Sequence, residues 1–444
     1  MNATPILPGL SPVAGKPLTA AFDASRLSSD GGMVVLREIA TRLGVAQAIA
    51  ARLRDERDPT RVQHSYAEMV QARMLMIAAG YEDCDDVDAL RTDPALKIAI
   101  GRCPVTGADL MSQPTLSRLE NLADWRALAR IGLGQIDLYC RSFARPPRRI
   151  VLDIDDTDDP VHGQQELALF NAHYDCTCFQ PIHIFDGVSG KPVLSLLRPG
   201  KRPSGDEVAK VLRHVIGRIR KHWPNVEILL RADSHYCSEP ALALLESMGC
   251  DYILGFAINS KLLQIAVPWR SQCDMRRSKM KPTVRRFHQL TYKAHQWSRS
   301  RKLIARVEAT QMGSDVRFIV TNLQGRGKTL YEKVFCARGA AENLIKDMKR
   351  FTRSDKTACS RWQANQFRLF LHMGAYWLLH SLRRAAPKRS RWRGATFETI
   401  RRTFVKIAVR VEELKGKIKL AFPTSYPQAA MLAAMAGAIT TRGP

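Results

Sequence analysis

The stretch RIVLDID, residues 149–155, decides the fold because its apolar residues alternate with period two. This alternation predicts a β-strand with its isoleucines and leucine on one face of a sheet. Asp153 and Asp155 lie on the other face, so the strand carries two carboxylates to one side.

A second strand and two helices surround this first strand. The run VEILLRAD, residues 226–233, is short, apolar and closed by polar residues, which predicts a buried strand. Apolar residues recur every three or four positions in 207–223 and 241–249, which predicts helices. Alternating strands and helices are typical of an α/β domain, here with a mixed sheet.

The remaining chain divides by sequence pattern into regions with different expected structures. Residues 31–145 have helical spacing throughout, whereas 256–330 contain short basic β-rich runs that indicate a stranded insertion. The full division is an arm (1–30), the α-helical region (31–145), a first core segment (146–255), the β-stranded insertion (256–330), a second core segment with C-terminal helices (331–420) and a tail (421–444).

One segment of the helical region has two interpretations. LREIATRLGVAQAIAARLRD, residues 36–55, places Gly44 between two helical patterns, as a DNA-binding helix-turn-helix would. The same pattern fits an ordinary helical hairpin, and the nearly balanced local charge does not separate the two.

The charge of the chain is concentrated in one region. The 68 Lys and Arg against 42 Asp and Glu give a net charge of +26 over 444 residues. Residues 1–150 contribute +2, 151–260 contribute −5, 261–420 contribute +28 and the last stretch contributes +1. A basic surface of this size attracts polyanions, so nucleic acid is the first partner to expect.

The cysteines and the apolar segments point to the cell interior. The chain has 10 cysteines without a C-x2-C pair, so neither a zinc site nor a disulfide framework is indicated. A signal sequence and an apolar run long enough to span a membrane are both missing. We therefore expect a reduced cytoplasmic protein without a membrane partner.

The acidic cluster after the first strand indicates a metal site. Five of the seven residues 153–159 are aspartates, and carboxylates at this density repel one another unless water or a cation intervenes. The pattern D-x-D-x-T at Asp153, Asp155 and Thr157 also resembles the nucleophile motif of haloacid-dehalogenase-type phosphatases. A D-x-D-x-T phosphatase is therefore an alternative function.

Two further carboxylates have suitable settings. Asp233 closes the second strand, and open α/β sheets place their sites at strand ends. Glu342 lies in a helical pattern in which Arg338, Ile345 and Lys349 fall within one narrow stripe. This stripe is either a functional face or a solvated surface with i,i+4 ion pairs.

Several motifs together resemble bacterial insertion-sequence transposases of the DDE, RNase H-like class. The last motif is similar to the Y-x2-R-x3-E-x6-K signature of the cut-and-paste branch, with Phe335 in place of tyrosine. In chain order the motifs are LDIDDTDDPVHGQQ, LFNAHYD, LRPGKRPSGDEV, LLRADSHY and the F-x2-R-x3-E-x6-K run at 335–349. The resemblance implies an RNase H-like core interrupted by the β-rich insertion, with DNA-end binding in the helical region.

The resemblance also implies a catalytic trio that holds metal ions. The first aspartate of the family falls on Asp155, with Asp153 and Asp156 as alternatives, the second on Asp233 and the glutamate on Glu342. Such a trio holds two Mg²⁺ or Mn²⁺ ions for in-line phosphodiester displacement. A non-enzymatic DNA-binding derivative of a transposase is the other alternative.

The resemblance finally implies the DNA contacts and the partners. Arg338, Lys346 and Lys349 are the expected contacts to transposon-end DNA. In the hairpin step implied for the cut end, Trp297 is the candidate for stacking on an extruded base, and a core position in a small sheet is its alternative. The expected partners are terminal inverted repeats, target DNA and a second copy of the chain, in the bacterial cytoplasm at the nucleoid.

Overall fold

A bundle of helices forms the N-terminal region of the computed structural model, which describes residues 6–24, 26–280 and 282–441. The elements are β1 (Leu27–Ser28), α1 (Met33–Leu43), α2 (Val45–Ala50), α3 (Tyr66–Ala79), α4 (Asp86–Leu90), α5 (Pro94–Ile100), α6 (Gln113–Glu120) and α7 (Trp125–Arg141). The left-handed Gly44, with φ of 62°, ends α1 and begins α2. The short α2 buries its apolar face and packs mainly against α3 and α7.

A large mixed sheet follows the helical region. Its region contains β2 (Arg149–Asp156), β3 (Asp159–Pro160), β4 (Leu169–Asn171), β5 (Cys176–Phe179), β6 (Ile182–Asp186), β7 (Pro192–Leu196), α8 (Gly205–His222), β8 (Glu227–Ala232), α9 (Glu239–Ser247), β9 (Asp251–Phe256), α10 (Ser260–Met280), β10 (Val284–Tyr292), β11 (Arg301–Thr310) and β12 (Gly313–Thr321). Eight strands pair in the order β10-β11-β12-β9-β8-β2-β6-β7. The expected mixed α/β fold with a large mixed sheet is thereby confirmed.

The predicted strand at RIVLDID is an interior strand of this sheet. Strand β2 pairs in parallel with β8 and antiparallel with β6, and β8 pairs in parallel with β9. The apolar residues Ile150, Leu152 and Ile154 are buried, as their alternation predicts. Helix α8 begins with a capping box formed by Ser204 and Glu207 and packs against α7 and α9.

The strands expected in the β-rich insertion continue the central sheet. Strand β12 pairs antiparallel with β9, with Phe318 opposite Phe256, and β11 and β10 extend the sheet beyond β12. The prediction of β-structure from residue 256 onward is wrong for 260–280, which form α10. A small separate sheet of order β3-β5-β4 lies directly after β2 in the chain.

The C-terminal part contains α11 (Gly327–Thr329), α12 (Ala340–Lys346), α13 (Trp362–Ala385), α14 (Phe397–Ile400), β13 (Val409–Leu414), β14 (Lys417–Ala421) and α15 (Ala429–Thr441). Helix α13 is buried over most of its length and packs against α3 and β7, joining the helical region to the sheet. The expected basic helical segment up to residue 420 is wrong for its last part, because 409–421 form a hairpin whose first strand pairs with β1.

Candidate active site

Two aspartates meet at one edge of the central sheet. Strands β2 and β8 are parallel neighbours, with Asp153 opposite Arg231, and each strand continues for two residues to Asp155 and Asp233. The side chains of Asp155 and Asp233 are 15% and 31% exposed. Burial raises the pKa of Asp155 to about 6; Arg338 opposes this rise, and the charge of Asp233 adds to it. Two carboxylates thus share one partly desolvated edge.

Asp153, an alternative ligand, is committed to a buried ion pair. Arg231 donates from Nε and Nη2 to the two carboxylate oxygens of Asp153, at 2.6 and 2.7 Å. A Cβ at Gly187 would lie 2.1 Å from Asp153 Oδ2, so only glycine leaves room for this pair. Asp153 is therefore enclosed, and the D-x-D-x-T motif does not present its first aspartate to a substrate.

Asp156, the other alternative metal ligand, is hydrogen-bonded by two protein side chains. It accepts hydrogen bonds from the Tyr236 hydroxyl at 3.2 Å and from the side-chain amide of Gln180. Burial raises the pKa of Asp156, and the charge of Asp233 adds to the rise. This carboxylate belongs to the same acidic edge, with two of its hydrogen bonds already directed to the protein.

Arg338 and Lys349, on either side of the helix that carries Glu342, contact the acidic strand end. Irregular turns surround α12: a 3₁₀ turn at Cys336–Gly339 precedes it, and a π turn at Asp347–Phe351 follows it. From these turns Arg338 donates to Asp155 Oδ2 at 2.7 Å, and Lys349 donates to Thr157 Oγ1 at 3.2 Å and to Asp158 Oδ1 at 2.9 Å. Both cations thereby neutralise the strand end.

Glu342 itself is joined to Asp155 through Arg338. Its Oε1 lies 3.7 Å from Arg338 Nη2, and its side chain is 67% exposed. Within the described ranges, no group of three His, Cys, Asp or Glu side chains has metal-holding geometry. The structure therefore brings Asp155 and Asp233 together, and the guanidinium of Arg338 lies between Asp155 and Glu342. Lys346, on the same helix, is exposed.

The donor chemistry of this edge fits a divalent cation. Asp155 and Asp233 supply hard oxygen ligands from two rigid strand ends, which Mg²⁺ and Mn²⁺ prefer. Their mutual repulsion is the electrostatic cost that a bound cation would remove. On the helix that faces these strand ends, the exposed Glu342 is the carboxylate that pairs with Arg338.

Phe335, at the signature tyrosine position, lines a cleft beside this edge. The cleft has a volume of about 290 Å³ and also contacts Asp233 and Arg338. The Phe335 ring packs against Tyr331 at 5.5 Å between centroids. Apolar packing therefore takes the place that a phenol hydroxyl would have at this position.

Trp297 occupies a core position, which is one of the two roles its sequence allows. It is 5% exposed, its ring lies 5.0 Å from that of Phe256, and the guanidinium of Arg301 lies 5.1 Å from its centroid. In this arrangement the indole does not present a face to an extruded base.

A substitution at Trp297 separates packing from base stacking. We expect Trp297→Leu to lower the free energy of unfolding by about 2 kcal/mol, because it leaves a cavity against Phe256. Urea unfolding measures this loss. Permanganate reactivity of the terminal bases in a complex with folded variant should stay unchanged; altered reactivity with unchanged stability would contradict the core role.

Several residues near the edge were not assigned a role from sequence. A cavity of about 410 Å³ lies between Phe170, Lys201 and His235, and it also contacts Gln180, which binds Asp156. Phe170, Lys201 and His235 come from LFNAHYD, LRPGKRPSGDEV and LLRADSHY, respectively. These three motifs were therefore the sequence signal that could have identified the cavity. Phe170 is 64% exposed despite being a large apolar residue.

The fold and the acidic strand ends define the class, an α/β protein with a large mixed sheet and carboxylates at the ends of two parallel strands. The family model described as Transposase DDE domain group 1 matches residues 10–443, so the chain belongs to this family of DDE transposases. No curated protein matches the chain. A cryo-electron microscopy structure of a piggyBac transposase synaptic complex with hairpin DNA is 10% identical, with a TM-score of 0.41, and the match covers 84% of this chain and 80% of that one.

The described helices were also compared with the requirements of a membrane span. None of those in residues 6–24, 26–280 and 282–441 combines the length and apolar character needed to cross a bilayer.

Proposed function

We propose that the protein is a bacterial insertion-sequence transposase. It binds the terminal inverted repeats of its element and catalyses metal-dependent cleavage and transfer of DNA strands. The observation that carries this proposal is the pair Asp155 and Asp233 on adjacent parallel strand ends, faced by Arg338 from the helix that carries Glu342. Membership of the DDE transposase family supports it.

Asp155, Asp233 and Glu342 are the proposed catalytic residues and metal ligands. Two Mg²⁺ or Mn²⁺ ions bound there would activate the attacking oxygen and stabilise the leaving oxygen of an in-line displacement. Asp155 lies in β2 and Asp233 directly follows β8. Both positions are fixed because these two strands pair with each other inside the sheet. Arg338 offsets the charge of Asp155 and holds Glu342 close to it.

The basic half of the chain is the proposed DNA surface. Residues 261–420 carry the net +28 and include the Glu342 helix with Arg338, Lys346 and Lys349. Neutralisation of phosphates by such side chains supplies most of the affinity for duplex DNA. Lys349 donates to Thr157 and Asp158, which follow the strand of Asp155. Its proposed DNA contact therefore lies beside the DNA strand that is cut.

Two copies of the chain are part of the proposal, because the two ends of one element must be cut together. The proposed reaction passes through a hairpin intermediate at the cut end and takes place at the bacterial nucleoid. With Trp297 buried among Phe256 and Tyr292, its proposed part in hairpin formation is support of the sheet rather than base stacking.

The cavity beside Phe170 is a proposed track for the DNA strand that leaves the site. An exposed aromatic ring with nearby cations suits an unpaired base and its phosphate, and Lys201 and Arg202 line the same cavity. We expect Phe170→Ala to weaken binding of a DNA end with a single-stranded extension about tenfold, because base stacking is worth ~1–3 kcal/mol. Fluorescence anisotropy measures this affinity.

The matched control for Phe170→Ala is Trp125→Ala. Trp125 is 65% exposed and lies in α7, away from this cavity. Trp125→Ala should leave the affinity unchanged for a DNA end with a single-stranded extension and for a blunt duplex. Phe170→Ala should weaken binding of the first DNA alone. Equal losses in the two variants would argue against the proposed track.

The proposed function is tested by cleavage of a DNA fragment with the terminal inverted repeats that flank the gene. Purified protein with Mg²⁺ should cut this fragment and leave a fragment with scrambled ends intact. Specific binding without cleavage in Mg²⁺ and in Mn²⁺ would identify the non-enzymatic derivative instead. Absence of end-specific binding would overturn the proposal.

A further inference from the structure

A cavity of about 440 Å³ lies where helices α1, α13 and α15 meet the turn between β6 and β7. This turn lies beside the first half of β2, since Gly187 donates to the carbonyl of Val151, whereas Asp155 is near the other end of that strand. None of the residues assigned to the active site lines the cavity. It is therefore a separate site.

The cavity lining is basic. Arg42, Lys191 and Arg384 contribute to it, and no acidic side chain does. Lys191 Nζ donates to the carbonyl of Ser142 at 2.7 Å and lies 3.7 Å from the centroid of Phe143. Among the described residues, neither Lys191 nor Arg384 has a carboxylate partner within 4.0 Å. Asp186, outside the lining, offsets part of the charge of Lys191, and the lining itself carries only positive side-chain charge.

Two side chains in the wall of the cavity carry buried polar atoms without partners in the described part of the chain. His380 lines the cavity and is 3% exposed, yet neither of its ring nitrogens has a hydrogen-bond partner among the described residues. The indole nitrogen of Trp377, also in the lining, is without a partner as well. His380 and Trp377 therefore belong to the wall of the cavity, next to its basic side chains.

The remaining lining is apolar and aromatic. Phe143, Trp377 and Ile439 form part of the wall, and the hydroxyls of Ser189 and Ser381 are interspersed with them. Ligand sites combine such apolar walls with a few convergent polar groups, and their volumes fall in this range. The cavity thus offers a surface for an apolar body next to groups that suit an anion.

We propose that this cavity binds a small organic anion. Its phosphate or carboxylate group is held by the basic side chains of the lining, and its apolar body packs against the aromatic wall. Gly190 connects the site to the catalytic helix, because a Cβ there would lie 3.2 Å from His380 and 3.3 Å from Leu344 of α12. His380 and Gly190 therefore lie between a bound ligand and the helix of Glu342.

Isothermal titration calorimetry with the full chain tests this site. The probes are phenyl phosphate and benzoate for the complete ligand, inorganic phosphate for the charged group alone and benzyl alcohol for the apolar body alone. We expect one of the complete probes to bind once per chain, at least fivefold more tightly than either fragment. Ligand binding to the native state should also raise Tm.

Variants place the binding in the cavity. Arg384→Gln should weaken the bound probe at least fivefold, and Lys191→Gln should do the same with an unchanged circular dichroism spectrum. Arg389→Gln, an exposed arginine outside the lining, is the matched control and should bind as the original chain does. Arg384 is itself exposed, so its variant is expected to fold.

Three results would overturn the proposal. Absence of binding by both complete probes at millimolar concentration is the first, and equal affinity in Arg384→Gln and Arg389→Gln is the second. Displacement of the probe by a duplex DNA fragment is the third, because it would make a DNA phosphate the occupant. None of these results depends on cleavage activity, so the proposed function and this site can fail separately.

Discussion

Replacing Asp155 or Asp233 by alanine should reduce cleavage of the transposon end at least about a thousandfold. Metal-assisted stabilisation of charge in the transition state is worth several kcal/mol, and about 1.4 kcal/mol corresponds to a factor of ten in rate. Both aspartates sit at strand ends whose pairing does not depend on their carboxylates. The variants should therefore fold and bind DNA ends as the original chain does, as a mobility-shift assay measures.

Glu342→Ala extends this prediction to the helix. Glu342 is exposed and contacts Arg338 alone among the described ion pairs, so its removal should leave stability unchanged while cleavage is lost. Binding of Mn²⁺, followed by electron paramagnetic resonance, should weaken in all three variants. Asp206→Ala, an exposed aspartate in the first turn of α8, is the control and should cleave normally. Normal cleavage by Glu342→Ala would refute the catalytic trio.

The placement of Asp155 and Asp233 could be predicted because it depends on local pattern and a general rule. Alternation identified β2, an apolar run identified β8, and parallel strands bring their carboxyl ends to one edge. The fate of Asp153 could not be predicted, because it depends on the register that sets Arg231 opposite it. Register between strands 78 residues apart is a tertiary property.

The wrong predictions also have physical causes. The hairpin at 409–421 contains many charged residues, which obscured the alternation of the buried Val409 and Val411. The strands expected in an insertion continue the sheet because Phe318 pairs with Phe256, and this long-range pairing leaves no local signal. The helical spacing read from Arg338 to Lys349 also ignored the π turn at Asp347–Phe351, which follows the helix of Glu342.

A buried charge cluster in the helical region gives the largest expected effect on stability. Glu120 of α6 accepts from Arg73 of α3 at 2.8 Å and from Arg368 of α13 at 2.8 Å, and all three side chains are buried. We expect Glu120→Ala to lower the free energy of unfolding by about 3–5 kcal/mol at pH 7, since it leaves buried charge without a partner. Urea unfolding measures the loss.

The two arginines should not contribute equally to this loss. Arg73 also donates to the carbonyls of Glu82 and Asp83, at 3.0 and 3.2 Å, whereas Nε and Nη2 of Arg368 have no partner among the described residues. Removing both charges with Glu120→Leu and Arg368→Met together should therefore recover a large part of the stability, because a well-packed apolar pair replaces the ion pair.

The pH dependence of the same cluster has a definite sign. Burial alone would raise the pKa of Glu120, but Arg368 and Arg73 hold it below its ordinary value. The stabilisation is therefore complete above the unfolded-state pKa of about 4.3 and is lost as pH falls through the lower folded-state value. The difference between the original chain and Glu120→Gln should shrink over this acidic range.

Glu56→Ala is the control for the buried cluster, because Glu56 forms an exposed ion pair with Arg54 at 3.0 Å. Exposed pairs contribute at most about 1 kcal/mol, so the control should unfold at nearly the original urea concentration at every pH. If Glu120→Ala lost no more stability than Glu56→Ala, the cluster would not be what joins α3, α6 and α13. The helical region would then depend on apolar packing alone to hold α13 against the sheet that carries Asp155 and Asp233.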